Sequence, residues 1–167
     1  VETITLTGPW RVAQAGARGA IPAQVPGCVH TDLRAAGKIP DPYYRDNESA
    51  LQWIGEVDWI YARSFSVPKA FLAHEKVLLR CEGLDTFASI SINGVPAGRA
   101  DNMFRAWEFD VKALLKPGKN TIEVRFDSTV PYIRQKQAER PLPGWSAPHE
   151  IAGRAYVRKE PCNYGWD

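Results

Sequence analysis

The last ten residues, RKEPCNYGWD from Arg158 to Asp167, hold the densest set of side chains able to grip a polar ligand. Arg158, Lys159 and Glu160 supply charge, Asn163 an amide, Tyr164 and Trp166 aromatic faces, and Asp167 a carboxylate. A Trp-Asp pair suits a sugar, because the indole covers the apolar C–H face while the carboxylate accepts from two hydroxyls. The competing reading of the same spacing is a last strand whose Trp packs in a core. Trp145, between Pro-Gly and Ser-Ala-Pro, is a second aromatic that could stack on a ligand.

Other chemistries find less support. There is no Gly-rich phosphate loop and no G-x-S-x-G serine elbow. His30, His74 and His149 are far apart and lack ligand spacing, so neither a metal site nor a cofactor is expected. A glycosidase needs two carboxylates about 5–5.5 Å apart for retention, or about 6.5–9.5 Å for inversion. Asp41, Asp46, Glu48, Glu56 and Asp58 cluster in sequence, yet no spacing fixes a pair across a cleft, and they read as loop charges, turns and caps. The polar run RADNMFR (99–105) offers Asp101 and Asn102 and reads as a connection after a hairpin. Three cysteines, Cys28, Cys81 and Cys162, are too few and scattered for a disulfide framework, and are expected as free thiols. No residue of the chain is assigned a catalytic role.

These side chains need a scaffold, and 167 residues suffice for one domain with a sizeable core, expected over 1–167. Apolar residues make up 44% and charged residues 24%, with a net charge of +2 spread along the length. Without a basic stripe no nucleic-acid partner is expected, and without an apolar run of about 20 residues no membrane span. The compartment is left open, periplasmic or secreted being favoured over cytoplasmic.

Residues 3–6 and 10–12 alternate weakly around Gly8-Pro9 and read as an opening strand, and the Gly/Ala/Pro-rich run 13–26 as a surface excursion. Residues 30–36 read as a short helix closed by Gly37, and 39–53 as an ordered loop with at most one helical turn. Trp59, Tyr61, Arg63, Phe65 and Val67 share one face of a period-2 run, and 76–82 reads as an inner strand. Ala88, Ile90 and Ile92 alternate up to Asn93-Gly94, the strongest short hairpin signal. Trp107, Phe109 and Val111 form another strand, and Ile122, Val124 and Phe126 the cleanest one. Residues 131–140 read as a helical lid and 155–158 as a last strand. About eight short strands with helices only as single turns predict an all-β antiparallel sandwich, most simply a jelly roll.

With those elements in place the chain resembles the N-terminal domain of the β-mannosidase branch of glycoside hydrolase family 2. The resemblance rests on VPGCVHTDLRAAGKIPDPYYRDNE (25–48), QWIGEVDWIYARSF (52–65), LDTFASISINGVPAGRADNMFRAWEFDV (84–111) and RKEPCNYGWD (158–167), in order. It implies a galactose-binding-like jelly roll, followed in the family by an immunoglobulin-like domain and a (β/α) barrel that carries the catalytic glutamates. Asn47-Glu48 copies the family's catalytic Asn-Glu dipeptide, but that pair belongs to a barrel strand, so no catalytic role is carried over. The family's GWDWGP motif maps onto Gly165, Trp166 and Asp167, implying Trp166 as platform and Asp167 as hydroxyl acceptor for the mannose. His30 and Trp145 are secondary candidates for the same pocket. The expectation is a non-catalytic fragment of a retaining exo-β-mannosidase acting on a mannose-containing oligosaccharide or glycoconjugate. Its partners would be the downstream domains of the same chain, and its apolar docking face could also make a homodimer. The alternatives are a free-standing carbohydrate-binding module on the same fold, or the same domain of a galactosidase- or glucuronidase-like enzyme.

Overall fold

The computed structural model describes residues 1–142 and 153–160. Within them the chain runs β1 (Gly8–Gln14), β2 (Ile21–Val25), α1 (Val29–Ala35), α2 (Asn47–Leu51), α3 (Trp53–Glu56), β3 (Trp59–Val67), β4 (Leu78–Cys81), β5 (Phe87–Ile92), β6 (Val95–Ala100), β7 (Trp107–Asp110), β8 (Gly118–Asp127) and α4 (Thr129–Glu139). Single 3₁₀ turns lie at Lys69–Ala73, Lys112–Leu114 and Arg154–Tyr156. Six strands form one antiparallel sheet of order β2-β1-β3-β8-β5-β6, and β4 and β7 pair in a second. This is the all-β antiparallel sandwich expected of a galactose-binding-like jelly roll.

The alternation legible in β3 and β8 is what builds the core. Trp59, Tyr61 and Val67 from β3 are buried with Ile122 and Val124 from β8, Ala88, Ile90 and Ile92 from β5, and Trp10 and Val12 from β1. Between β5 and β6, Asn93 (φ 53°) and Gly94 (φ 79°) make the two-residue turn that the dipeptide predicted. Asn93 also ties that turn to β8, its Oδ1 accepting the Thr121 N–H (3.0 Å) and its amide donating to Asn120 Oδ1 (2.8 Å). Asn120, fully buried, spends its own amide on the Lys116 and Gly118 carbonyls.

Five expectations are corrected. Residues 3–6 are not strand: the Leu6 carbonyl accepts from Arg63 Nη1 (2.8 Å) and Trp10 Nε1 (2.7 Å), so side chains take what a ladder would use. The excursion 13–26 contains β2, whose Pro22 faces Arg11 on a sheet edge, where a missing N–H costs no ladder bond. Residues 39–53 hold α2 and the start of α3, two helices too short to show a period. The strand expected at 155–158 is a 3₁₀ turn followed by one isolated bridge, Asn102 to Arg158. The expected inner strand is β4, whose single partner among the described residues is β7 and whose Leu78 is 51% exposed.

A buried polar contact pins α1 to the sheet. Asp32, 5% exposed, accepts from the Gln24 N–H (3.0 Å) and the Tyr61 hydroxyl (2.8 Å). Burial, and then the hydrogen bond to Asp32, hold the Tyr61 phenol proton well above the usual tyrosine range. The folded chain thus keeps this proton more tightly than the unfolded one, so the stabilisation is complete below about pH 10 and lost as pH rises beyond it. Tyr61→Phe should cost about 1–3 kcal/mol at neutral pH, because Asp32 loses a buried donor. In urea melts followed to high pH the variant should show a shallower alkaline loss than the parent. Elsewhere, a Cβ on Gly98 would lie 2.2 Å from the Phe109 ring, itself stacked on Trp107. Gly98→Ala is therefore expected to lower the urea midpoint by the equivalent of about 1–3 kcal/mol with an unchanged m-value.

Candidate functional site

Trp166, Asp167 and Trp145 lie outside the described residues. The approach to the terminal motif is described, and it is held at both ends. At its start Gly153 adopts φ 89° against Gln137 of α4, where a Cβ would meet the Gln137 amide oxygen at 2.8 Å. Gln137 itself braces Leu142, accepting its N–H and donating to its carbonyl (3.1 Å each). The Tyr156 hydroxyl donates to the Arg140 carbonyl, and Val157 is 5% exposed. Ile133 of α4 is fully buried, so this helix is a structural support for the segment rather than the lid expected from its sequence.

At its far end the segment meets the loop between β6 and β7. Asn102 bridges Arg158 in parallel register, and the Met103 N–H donates to the Arg158 carbonyl (3.0 Å). The Glu160 N–H reaches Met103 Sδ (2.9 Å), and Lys159 pairs with Asp85 in the β4–β5 loop. Asn102 is braced in turn: its Oδ1 accepts the Phe104 N–H (2.9 Å) and its carbonyl the Trp107 indole N–H (3.1 Å). Arg105 lies over the Trp107 ring, 4.4 Å from its centroid. The sequence marked Asn102 as part of a polar loop. It gave no signal for Met103 or Asp85, because their partners are dozens of residues away.

His30 sits elsewhere. It follows the C-terminal end of β2, an edge strand, while Asn102 follows the C-terminal end of β6, the opposite edge. Because β2 and β6 run in opposite directions, the two loops lie at opposite ends of the sheet. His30 is exposed in the first turn of α1, whose N-cap is Cys28. Thr31 Oγ1 accepts the Cys28 N–H (3.4 Å) and donates to the Cys28 carbonyl (2.7 Å). Hydrogen bonding from His30 and then from the Thr31 backbone, working against burial, lowers the Cys28 thiol to about 7.

The clustered carboxylates find structural partners. Asp41 pairs with Arg34 (2.6 Å), Glu56 with Arg134 (3.0 Å) and Asp58 with Arg125 (2.6 Å), and Asp58 also accepts the Ser128 N–H (2.7 Å). Glu48 stands in the first turn of α2, where a negative charge suits the helix dipole. Of the tryptophans, Trp10 and Trp59 are core, Trp107 is half-buried and Trp53 exposed. Among the described residues no group of His, Cys, Asp and Glu is arranged to hold a metal ion. A shallow depression of about 380 Å³ lined by Asn93, Lys116, Lys119 and Thr121 lies at the other end of β8 from the Met103 corner. The amide of Asn93 there is already spent on the Leu114 carbonyl and Asn120.

A two-sheet antiparallel sandwich with few, short helices is the architecture of the galactose-binding-like class of domains. Comparison with known proteins places it further. The model of the family described as glycosyl hydrolase 2 galactose-binding domain-like matches residues 10–167, and the chain belongs to that family. It is 39% identical over 174 aligned positions to the β-mannosidase of Capra hircus, covering 100% of this chain and 20% of that protein. The β-D-mannosidase of Dictyoglomus thermophilum, known from a crystal structure, is 40% identical with a TM-score of 0.92, over 100% of this chain and 20% of that one. The exo-chitosanase of Amycolatopsis orientalis, 17% identical with a TM-score of 0.66 over 75% of this chain and 17% of its own, shares the fold. The chain therefore spans about a fifth of the length of the mannosidases it matches.

The lowered Cys28 thiol gives a direct check on the α1 end. Alkylation by iodoacetamide should follow a pH midpoint near 7 at Cys28, whereas Cys81, raised by burial to about 11, should stay unreactive well above neutrality. His30→Ala should move the Cys28 midpoint upward, towards an ordinary thiol's range of about 8.5. Peptide mapping of the alkylated protein over a pH series reads both sites.

Proposed function

We propose that this chain is the N-terminal domain of a retaining exo-β-mannosidase that removes terminal non-reducing β-D-mannose from an oligosaccharide or glycoconjugate. The observation that carries the reading is that likeness to proteins called β-mannosidases extends over the whole chain at 39–40% identity, whereas likeness to the chitosanase reaches three quarters of it. Supporting it chemically, a Trp-Asp pair offers the groups a mannose needs: a flat apolar face from Trp166 and a carboxylate acceptor for two hydroxyls from Asp167.

On this reading the domain contributes one wall of the sugar site and catalyses nothing itself. The carboxylate pair that would protonate the leaving group and form the glycosyl-enzyme intermediate belongs to polypeptide beyond it. The described carboxylates fit this division, since Asp41, Glu56 and Asp58 are each committed to an arginine of the scaffold. An isolated wall leaves most sugar hydroxyls in water, so the domain alone should bind mannose too weakly to measure by calorimetry at millimolar concentration.

Two measurements test the proposal. The 167-residue chain should leave an aryl β-mannoside unhydrolysed above the buffer rate, and turnover by it would overturn the non-catalytic assignment. In the full-length protein, Asp167→Ala should lower kcat/KM on the same substrate about a thousandfold, the worth of roughly two charged hydrogen bonds. An unchanged kcat/KM there would remove the chain's sugar-gripping role.

A further inference from the structure

The connection between α1 and α2 holds two aromatic rings in water on a closed turn. Apart from Val1, no large apolar side chain among the described residues is more exposed than Tyr43, at 94%, and Tyr44 beside it is 57% exposed. Asp41 builds the turn beneath them. Its Oδ1 accepts the Tyr43 N–H (3.1 Å), its Oδ2 pairs with Arg34 (2.6 Å), and its carbonyl accepts the Tyr44 N–H (3.2 Å) and the Asn47 side-chain amide (2.8 Å). The Asn47 N–H then closes on the Tyr44 carbonyl (3.3 Å). Arg45 takes φ 55°, which L side chains rarely adopt, and its guanidinium lies over the Tyr44 ring, 5.1 Å from the centroid. Ile39 on one side and Leu51 on the other are buried in the core, so the turn is fastened at both flanks.

Resting on the proposed reading of the chain as one domain of a longer enzyme, we propose that Tyr43 and Tyr44 form a docking knuckle covered by the remaining polypeptide of that enzyme. Two rings kept in water forgo the burial that their apolar area offers, and here the backbone beneath them is ordered to keep them there. That order is what a contact surface needs. A turn already fixed loses little further entropy when it is covered. Tyrosine, with two side-chain torsions, presents a large amphipathic area that loses little on being fixed. Arg45, Asp46 and Glu48, all exposed, follow the rings directly and give an aromatic centre with a charged rim, the composition of an interface.

The size of the knuckle selects its occupant. Two tyrosines bury about 300–500 Å² between them, well short of the roughly 800 Å² per partner found in stable complexes of free proteins. A second copy of the chain would bind such a patch too weakly to persist. A partner on the same polypeptide needs no more area, because the tether supplies a high effective concentration. Such polypeptide exists in the relatives: the whole of this chain covers 20% of the Capra hircus and of the Dictyoglomus thermophilum mannosidase, and the rest of each lies outside the match.

Hydroxyl-radical footprinting of side chains reads the coverage directly. Tyr43 and Tyr44 should be oxidised about tenfold more slowly in the full-length protein than in the 167-residue chain, while buried Tyr61 stays slow in both. Equal rates at the two rings in both proteins overturn the docking surface. Slow oxidation already in the 167-residue chain overturns it too, the cover being a second copy if the rate falls with concentration and the chain itself if it does not. Replacing both rings, Tyr43→Ala with Tyr44→Ala, should leave the urea midpoint of the 167-residue chain unchanged and make limited proteolysis of the full-length protein release a fragment of this size several-fold faster. A lowered midpoint in the 167-residue chain makes the rings structural and overturns the proposal, as does an unchanged release rate. Footprinting reads coverage and not activity. A full-length protein that shields Tyr43 yet cleaves no β-mannoside therefore defeats the proposed function alone, and one that cleaves it with Tyr43 still open defeats the docking surface alone.

Discussion

The structure depends on the pairing of β3 with β8. Nine residues of β3 face nine of β8 in unbroken antiparallel register, from Trp59 opposite Phe126 to Val67 opposite Gly118. Every other strand of the large sheet is hung outward from this ladder, β1 and β2 on the β3 side and β5 and β6 on the β8 side. A strand's side-chain period is two, so a one-residue slip here would turn Tyr61, Ile122 and Val124 from the core to solvent. The register is therefore fixed by burial, and with it the height at which each loop leaves the sheet. At one end of the ladder, Asp58 spans from Arg125 to the Ser128 N–H and so ties the entry of β3 to the exit of β8 and the start of α4.

That end is also where residues 153–160 are held. The loops after β4 and β6 and the helix after β8 all emerge there, and each contributes to holding residues 153–160. The sheet supplies a rigid reference to which this short segment is fixed. The holds are individually weak: one parallel bridge, one N–H to sulfur, one partly exposed ion pair. Their value lies in being three constraints on three consecutive residues, so that the ordering cost of one contact is shared by the others. Such an arrangement gives directional control without the stiffness of a fully buried strand.

What the sequence disclosed follows the range of the interactions involved. Asn93-Gly94 announced its hairpin because the turn needs positive φ at both central residues, a purely local demand. β3 and β8 were legible because their alternation is long enough to outvote chance, and α1 because Gly37 (φ 65°) closes it in the left-handed conformation. β2 was missed because IPAQV carries a proline and little alternation, and is strand only because β1 offers it an edge. The run at 155–158 was taken for a strand on composition. Among the described residues its backbone finds no ladder, and its one bridge goes to Asn102, more than fifty residues earlier. α4 was legible as a helix, with Pro131 tolerated in its first turn, but its role was not, since nothing local says that Ile133 is fully buried.

The site divides the same way. Trp166 and Asp167 stood out by residue type, since stacking and hydroxyl acceptance are properties of the side chains themselves. The holds on residues 158–160 did not, because Asn102 and Asp85 meet partners about 56 and 74 residues distant, Arg158 and Lys159. The Asn47-Glu48 dipeptide shows the converse error that residue type invites. It has the right letters for a catalytic pair, yet the fold sets it at the start of a five-residue helix. Its neighbours are the Asp41–Arg34 pair and a turn in which the Asn47 side chain donates to the Asp41 carbonyl (2.8 Å). Residue type thus states what a side chain could do, while the fold decides, through partners far away in the chain, whether it is spent on structure instead.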